Sequence, residues 1–107
     1  MHEFVMTMEN LKKEQDVSAM DVAKALLDNG IHPPTMYFPL IVHEALMVEP
    51  TETEPREVLD HAVAVFHQIY QTALSDAQSL HEMPLHTPVR RLDEVGAARN
   101  PKLRFQF

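Results

Sequence analysis

The residues that could do chemistry in this chain are few, and proline frames them. His32-Pro33-Pro34-Thr35 carries an imidazole and a hydroxyl on a backbone whose two prolines fix φ, so both groups are held in set directions. Thr51-Glu52-Thr53-Glu54 offers paired carboxylates, the residue type of general acid and base work. Each has a plainer explanation. A single rigid histidine packs as readily as it binds, and acids in and before the first turn of a helix stabilise its dipole by about 0.3–1 kcal/mol each. The seven histidines lack metal-ligand spacing: His61 and His67 lie nearly opposite on one helix, and His81 and His86 straddle a proline. Surface or structural roles suit them better. Lys12, Lys13, Lys24 and Lys102 stand in polar or terminal settings, without the apolar surroundings that prepare a lysine for Schiff-base chemistry. Cysteine is absent, which removes thiolate nucleophiles and Cys-based zinc sites. With two glycines against eight prolines, the chain has no G-x-G-x-x-G and no Walker loop to bring backbone amides to a phosphate.

At 107 residues the chain suits one domain, residues 1–107, by the usual prior of roughly 100–200 residues per domain. An apolar fraction of 45% and a charged fraction of 23% are those of a chain that folds. Nine basic against 16 acidic residues leave a net charge of −7, a poor surface for nucleic acid or an anionic membrane. No apolar run is long enough to cross a bilayer, and the opening MHEFVMTMENLKK lacks the layout of a signal peptide. The lack of cysteine fits a reducing compartment, and the cytoplasm is the expected location.

The elements that must position the prolines follow from periodicity. Phe4, Met6 and Met8 alternate with Val5 and Thr7, which predicts a strand over 3–8. Residues 12–16 read as a polar connection. Ser18 with Asp21 three residues later is a capping-box variant, and Ala19, Val22, Ala23, Leu26 and Leu27 form the stripe of the helix it starts, which Asn29-Gly30 stops. Residues 31–35 cannot be helical and form an edge strand or shaped loop. The apolar run through 45–49 is a buried strand ended by Pro50. A long helix follows, capped at Thr53 or Glu54 with Pro55 in its first turn. Its apolar positions are Val58, Leu59, Ala62, Val65, Phe66, Ile69, Tyr70 and Ala73. Short helices over 75–82 and 93–98 flank an extended stretch at 83–89. The fold class is therefore α+β, a small antiparallel sheet with helices on one face.

Three stretches together carry a resemblance: SAMDVAKALLDNGIHPPTMYFP over 18–39, LMVEPTETE over 46–54 and TPVRRLDEV over 87–95. In this order and separation they resemble the glycine dehydrogenase (decarboxylating) P-protein of the glycine cleavage system, in its subunit 2 form, and only the C-terminal part of it. The resemblance implies the C-terminal small domain of a fold-type I pyridoxal-phosphate enzyme, with the large pyridoxal-phosphate domain absent from this chain. It implies the reaction of the full-length protein, glycine decarboxylation with pyridoxal phosphate and aminomethyl transfer to the lipoyl H-protein. The partners it implies are that large domain, P-protein subunit 1 and the H-protein. In this fragment no cofactor and no activity are expected, and no residue is assigned a catalytic step. The small domain would contribute one wall of the active-site mouth, with His32, Pro34, Thr35, Glu49, Thr51 and Glu52 as the residues near substrate. Aminotransferase relatives carry a carboxylate-clamping arginine on the strand where Met47 stands here, and a decarboxylase gains from not clamping its leaving group.

Composition alone also permits a free-standing α+β regulatory or protein-interaction module. The uncharged run Met36-Tyr37-Phe38-Pro39-Leu40-Ile41 and the tail aromatics Phe105 and Phe107 further predict that the isolated chain self-associates, as a two-fold dimer.

Overall fold

A computed structural model describes residues 2–105 of the chain; Phe107 lies outside the described residues. Strand β1 (Phe4–Thr7) leads into helix α1 (Glu9–Gln15), and α2 (Ala19–Asp28) follows across a short link. The edge strand β2 (Thr35–Met36), a looped excursion and β3 (Ala45–Val48) come next. Helices α3 (Arg56–Ser75), α4 (Ala77–Glu82) and α5 (Glu94–Arg99) complete the order. The sheet is antiparallel throughout, with β3 in the centre between β1 and β2. Met6, Leu46 and Met36 stand abreast in this register, and Leu46 is fully buried in the core. The α+β layout is the one expected.

The core lies between that face of the sheet and the helices. Leu11, Val17, Val22, Leu26, Leu46 and Leu80 are buried together with Val65, Ile69 and Ala73 of α3. At roughly 1.5–3 kcal/mol for each fully buried aliphatic side chain, this cluster holds the helices to the sheet.

Helix α2 starts as predicted. The Ser18 hydroxyl accepts from the Asp21 amide at 3.2 Å, and the Asp21 carboxylate accepts from the Ser18 amide at 2.8 Å. Gly30 alone takes the left-handed conformation after it (φ 72°), whereas Asn29 does not. The polar connection at 12–16 is a helix instead: α1 carries the i,i+4 ion pairs Lys13 with Glu9 and Lys12 with Asp16, and buries one residue, Leu11. A single apolar position leaves no periodicity to see.

The long helix is where predicted, but Pro55 occupies the N-cap position without a side-chain cap, so neither Thr53 nor Glu54 caps it. Its buried line is Val65, Ile69 and Ala73; Phe66 is half-buried, and Leu59 and Tyr70 are exposed. Phase is the reason. The apolar arc of α3 is wider than the strip that α4, α2 and α1, the helices packed against it, can cover. Of the uncharged run 36–41, Met36 is half-buried against the core, while Leu40 and Ile41 are 84% and 90% exposed. The tail residue Phe105 is largely exposed as well.

Candidate functional site

Antiparallel pairing brings the two proline-framed stretches to one end of the sheet. Thr35 pairs with Met47, so the chain entering β2 through His32-Pro33-Pro34 and the chain leaving β3 through Glu49-Pro50 lie at the same end, where β1 begins. His32, Thr35, Glu49, Thr51 and Glu52 are exposed there, and Pro34 is half-buried. Prolines on both stretches end the ladder at this point, because they offer no amide to it. The turn after β3 is closed by the Glu54 amide donating to the Thr51 carbonyl at 3.1 Å, and the Thr51 and Thr53 hydroxyls lie 2.9 Å apart. Among the described residues, no side-chain hydrogen bond links one stretch to the other. The arrangement supplies carboxylate and hydroxyl acceptors, an imidazole and a rigid backbone on an open rim. It is an exposed edge of the sheet, without a nucleophile and base in contact.

Val5, Met47 and Thr35 form a cross-strand row on the face turned away from Leu46 and the helices. Met47 is half-buried in that row, beside the exposed Thr35. It is therefore not part of the helix-covered core, and it shares its face with a candidate residue.

A second cluster went unseen in the sequence. Asp21 is the one charged or polar residue among the described ones that is buried, and besides Ser18 its carboxylate accepts from the Arg91 guanidinium at 2.8 Å. His81 Nδ1 lies 3.4 Å from the same group. Arg91 also donates to the Leu80 carbonyl at 3.0 Å and to the Met83 carbonyl, which ties off the end of α4. Burial pushes the Asp21 carboxyl up, the Ser18 donors and Arg91 pull it down further, and the balance leaves it below the usual aspartate range. Two turns on, Asp28 accepts from the Leu85 and His86 amides. Arg91 belongs to the TPVRRLDEV stretch and Asp21 to the SAMD stretch, so two of the three motifs meet in a structural clasp. The Ser18-to-Asp21 spacing shows in sequence; a partner 70 positions away does not.

The loop over 37–44 is held at its base. Tyr37 and Glu44 both adopt positive φ (57° and 49°), and the Glu44 carboxylate accepts from the Ala19 amide at 2.6 Å. Burial and the Glu44 charge push the Tyr37 hydroxyl above the ordinary tyrosine range.

These residues do not fit a phosphate-bearing cofactor. The amide ends of α2 are already met by the carboxylates of Asp21 and Glu44, which would repel a phosphate. Helix α3 opens after Glu52 and Glu54 with Glu57 in its first turn. Lys12 and Lys13 are engaged in ion pairs. Lys24 borders a shallow, open hollow of about 280 Å³ whose other charged lining residues are Arg91, Asp93 and Glu94; Arg91 is already engaged by Asp21, and the two acids offset what cation remains, so it is no closed phosphate cradle. No three His, Asp or Glu side chains among the described residues come together as a metal ion would require. No helix among them is long and apolar enough to cross a membrane.

Residues 1–88 match the family model described as glycine dehydrogenase, C-terminal domain. Over 106 residues the chain is 56% identical to the probable glycine dehydrogenase (decarboxylating) subunit 2 of Treponema denticola, covering 99% of this chain and 22% of that protein. It is 52% identical over 107 residues to the protein of the same description from Thermosipho africanus, covering 100% of this chain and 22% of that one. For the Caldanaerobacter subterraneus protein the identity is 55% over 105 residues, with 98% and 21% covered. The chain thus spans about a fifth of the length of the curated relatives it matches.

Proposed function

The chain belongs to the glycine dehydrogenase C-terminal domain family, and from that premise we propose that residues 1–107 act as the small C-terminal domain of a glycine-decarboxylating P-protein. The observation that carries this is identity above one half over nearly the whole chain, confined to a fifth of the relative's length. The activity belongs to the assembled protein. There, pyridoxal phosphate supplies the electron sink for decarboxylation, and the groups that hold it reside in the large domain of the same polypeptide. The further partners are P-protein subunit 1, which the relatives' description as subunit 2 calls for, and the lipoyl H-protein; the compartment is the cytoplasm. This chain's own contribution is a wall of the site mouth: His32 and Thr35 on one side, Glu49, Thr51 and Glu52 on the other, with Pro34 fixing the first stretch. Their acceptors and imidazole orient a small amino acid without holding its carboxylate in a bidentate clamp.

Two measurements test this. The 107-residue chain alone should neither bind pyridoxal phosphate stoichiometrically nor release carbon dioxide from glycine, and borohydride should trap no pyridoxyl group on Lys24 or another lysine. A chimera in which this chain replaces the matching 106 residues of the Treponema denticola relative, assembled with that organism's P-protein subunit 1, should decarboxylate glycine. A soluble, cofactor-loaded chimera without activity would overturn the reading. In an active chimera, His32→Ala and Glu49→Gln should raise KM for glycine several-fold, and unchanged constants would remove these residues from the site.

A further inference from the structure

Asn29-Gly30 ends α2, and the same pair holds the most reactive asparagine of the chain. Three asparagines occur: Asn10 precedes Leu11, Asn100 precedes Pro101 and Asn29 precedes Gly30. A backbone nitrogen attacks the side-chain amide before it only if it has a proton to lose and is not shielded by its own side chain. Pro101 fails the first condition and Leu11 the second; Gly30 meets both. Glycine stands here for a separate reason. Its φ is 72° and a Cβ would meet no atom within 4 Å, so the left-handed backbone, not crowding, calls for it.

The fold holds the reacting groups apart. The Gly30 amide donates to the Leu27 carbonyl and the Ile31 amide to the Leu26 carbonyl, both at 3.0 Å, the paired bonds of a Schellman motif. Ile31 packs against the core cluster that contains the fully buried Leu26. The Asn29 side-chain amide donates to the Ala25 carbonyl at 2.8 Å. With ψ at 14°, the Gly30 nitrogen lies nearly eclipsed with the Asn29 nitrogen, whereas closing a ring through Cγ needs it on the Cβ side. Reaction therefore requires these three hydrogen bonds to open and Ile31 to leave the core.

We propose that Asn29-Gly30 is a deamidation site gated by the fold, closed while the end of α2 is intact and open once that end comes undone. In the open chain the Gly30 nitrogen loses its proton to hydroxide and bonds to Asn29 Cγ, the Cγ–Nδ2 bond breaks, and ammonia leaves with a proton from water. One water then opens the succinimide at either carbonyl to give aspartate or isoaspartate, with no change of oxidation state. Either product works against closure. Aspartate loses the donor to Ala25 and sets a second carboxylate beside Asp28 at the negative end of the helix dipole. Isoaspartate adds a methylene to the main chain inside the turn that the Leu26–Ile31 bond spans. The modification thus records past opening and makes the next opening easier. It depends on this chain's own bonds, whatever a longer polypeptide lays over its surface, and stands independently of the glycine reading.

The test holds the 107-residue chain at mildly alkaline pH, with and without guanidinium chloride, and follows the tryptic peptide 25–56 by mass spectrometry. Asn29 is the sole side-chain amide in that peptide. Its gain of one mass unit should run roughly tenfold faster or more in denaturant than in the folded chain, because only the open fraction reacts. Asn10 and Asn100 should stay unchanged over the same period. Asn29→Asp, the product made directly, should fold with a lower urea midpoint or fail to fold. Equal rates at Asn29 in both conditions overturn the proposal, as does an Asn29 no faster than Asn10 in denaturant. An Asn29→Asp chain as stable as the wild type overturns the weakening of closure.

Discussion

Asp21 joins three parts of the chain through one carboxylate: the start of α2, the end of α4 and the stretch that carries Arg91. Replacing it by alanine removes a helix cap, leaves the Ser18 amide unpaired and takes from the Arg91 guanidinium its carboxylate partner, leaving it only the Leu80 and Met83 carbonyls. A loss of about 2–4 kcal/mol is expected, against about 1 kcal/mol for Ser18→Ala, which removes only the cap. Urea unfolding of the two variants checks the difference. The acid side of the stability profile follows from the same group. Its folded pKa is depressed, so its stabilisation is complete above the unfolded aspartate value of about 3.9 and is lost as pH falls through the lower folded value. The wild-type profile should therefore drop below about pH 4, and Asp21→Asn should flatten that drop; an equally steep fall in the variant would show that other carboxylates govern it. Half of this cluster was legible, because a cap is a local pattern. The other half was not, since an ion pair between distant residues leaves no periodic trace.

Helix α3 shows what periodicity can and cannot tell. Its existence and length followed from apolar residues at three and four residue spacing, but the width of the arc hid which part turns inward. Ile69, fully enclosed, sets the true phase. Ile69→Ala should cost about 2–5 kcal/mol, and Val63→Ala should stay within about 0.5 kcal/mol. Phe66, which the sequence marks as core, is half-buried and should fall between them, below the 3–5 kcal/mol of a fully enclosed ring. Thermal or urea unfolding of the three variants orders them. Helix α1 escaped notice for the opposite reason, having charges at helical spacing and a single apolar residue. The candidate rim was visible because proline and acid are local signals. That its two halves share one end of the sheet needed the β2–β3 register.

Across the whole molecule, apolar burial is unevenly spread. The layer formed by the sheet, α2, α3 and α4 contains the core, and Leu80 and Pro84 are the last buried residues before the C-terminal stretch. Beyond them, the chain from 85 to 105 is fastened mainly by polar contacts to Asp28 and Asp21 on a single helix. Such a segment opens at a fraction of the free energy needed to unfold the rest. Amide hydrogens of α5 should exchange orders of magnitude faster than those of α2, and exchange at the Leu85 and His86 amides should quicken further in Asp28→Asn. Trypsin at low ratio should cut first after Arg90, Arg99 or Lys102 and leave a folded body ending near residue 90. The last fifth of the chain is thus a latch worked by two aspartates, and acid strong enough to protonate Asp21 should loosen it before the body melts.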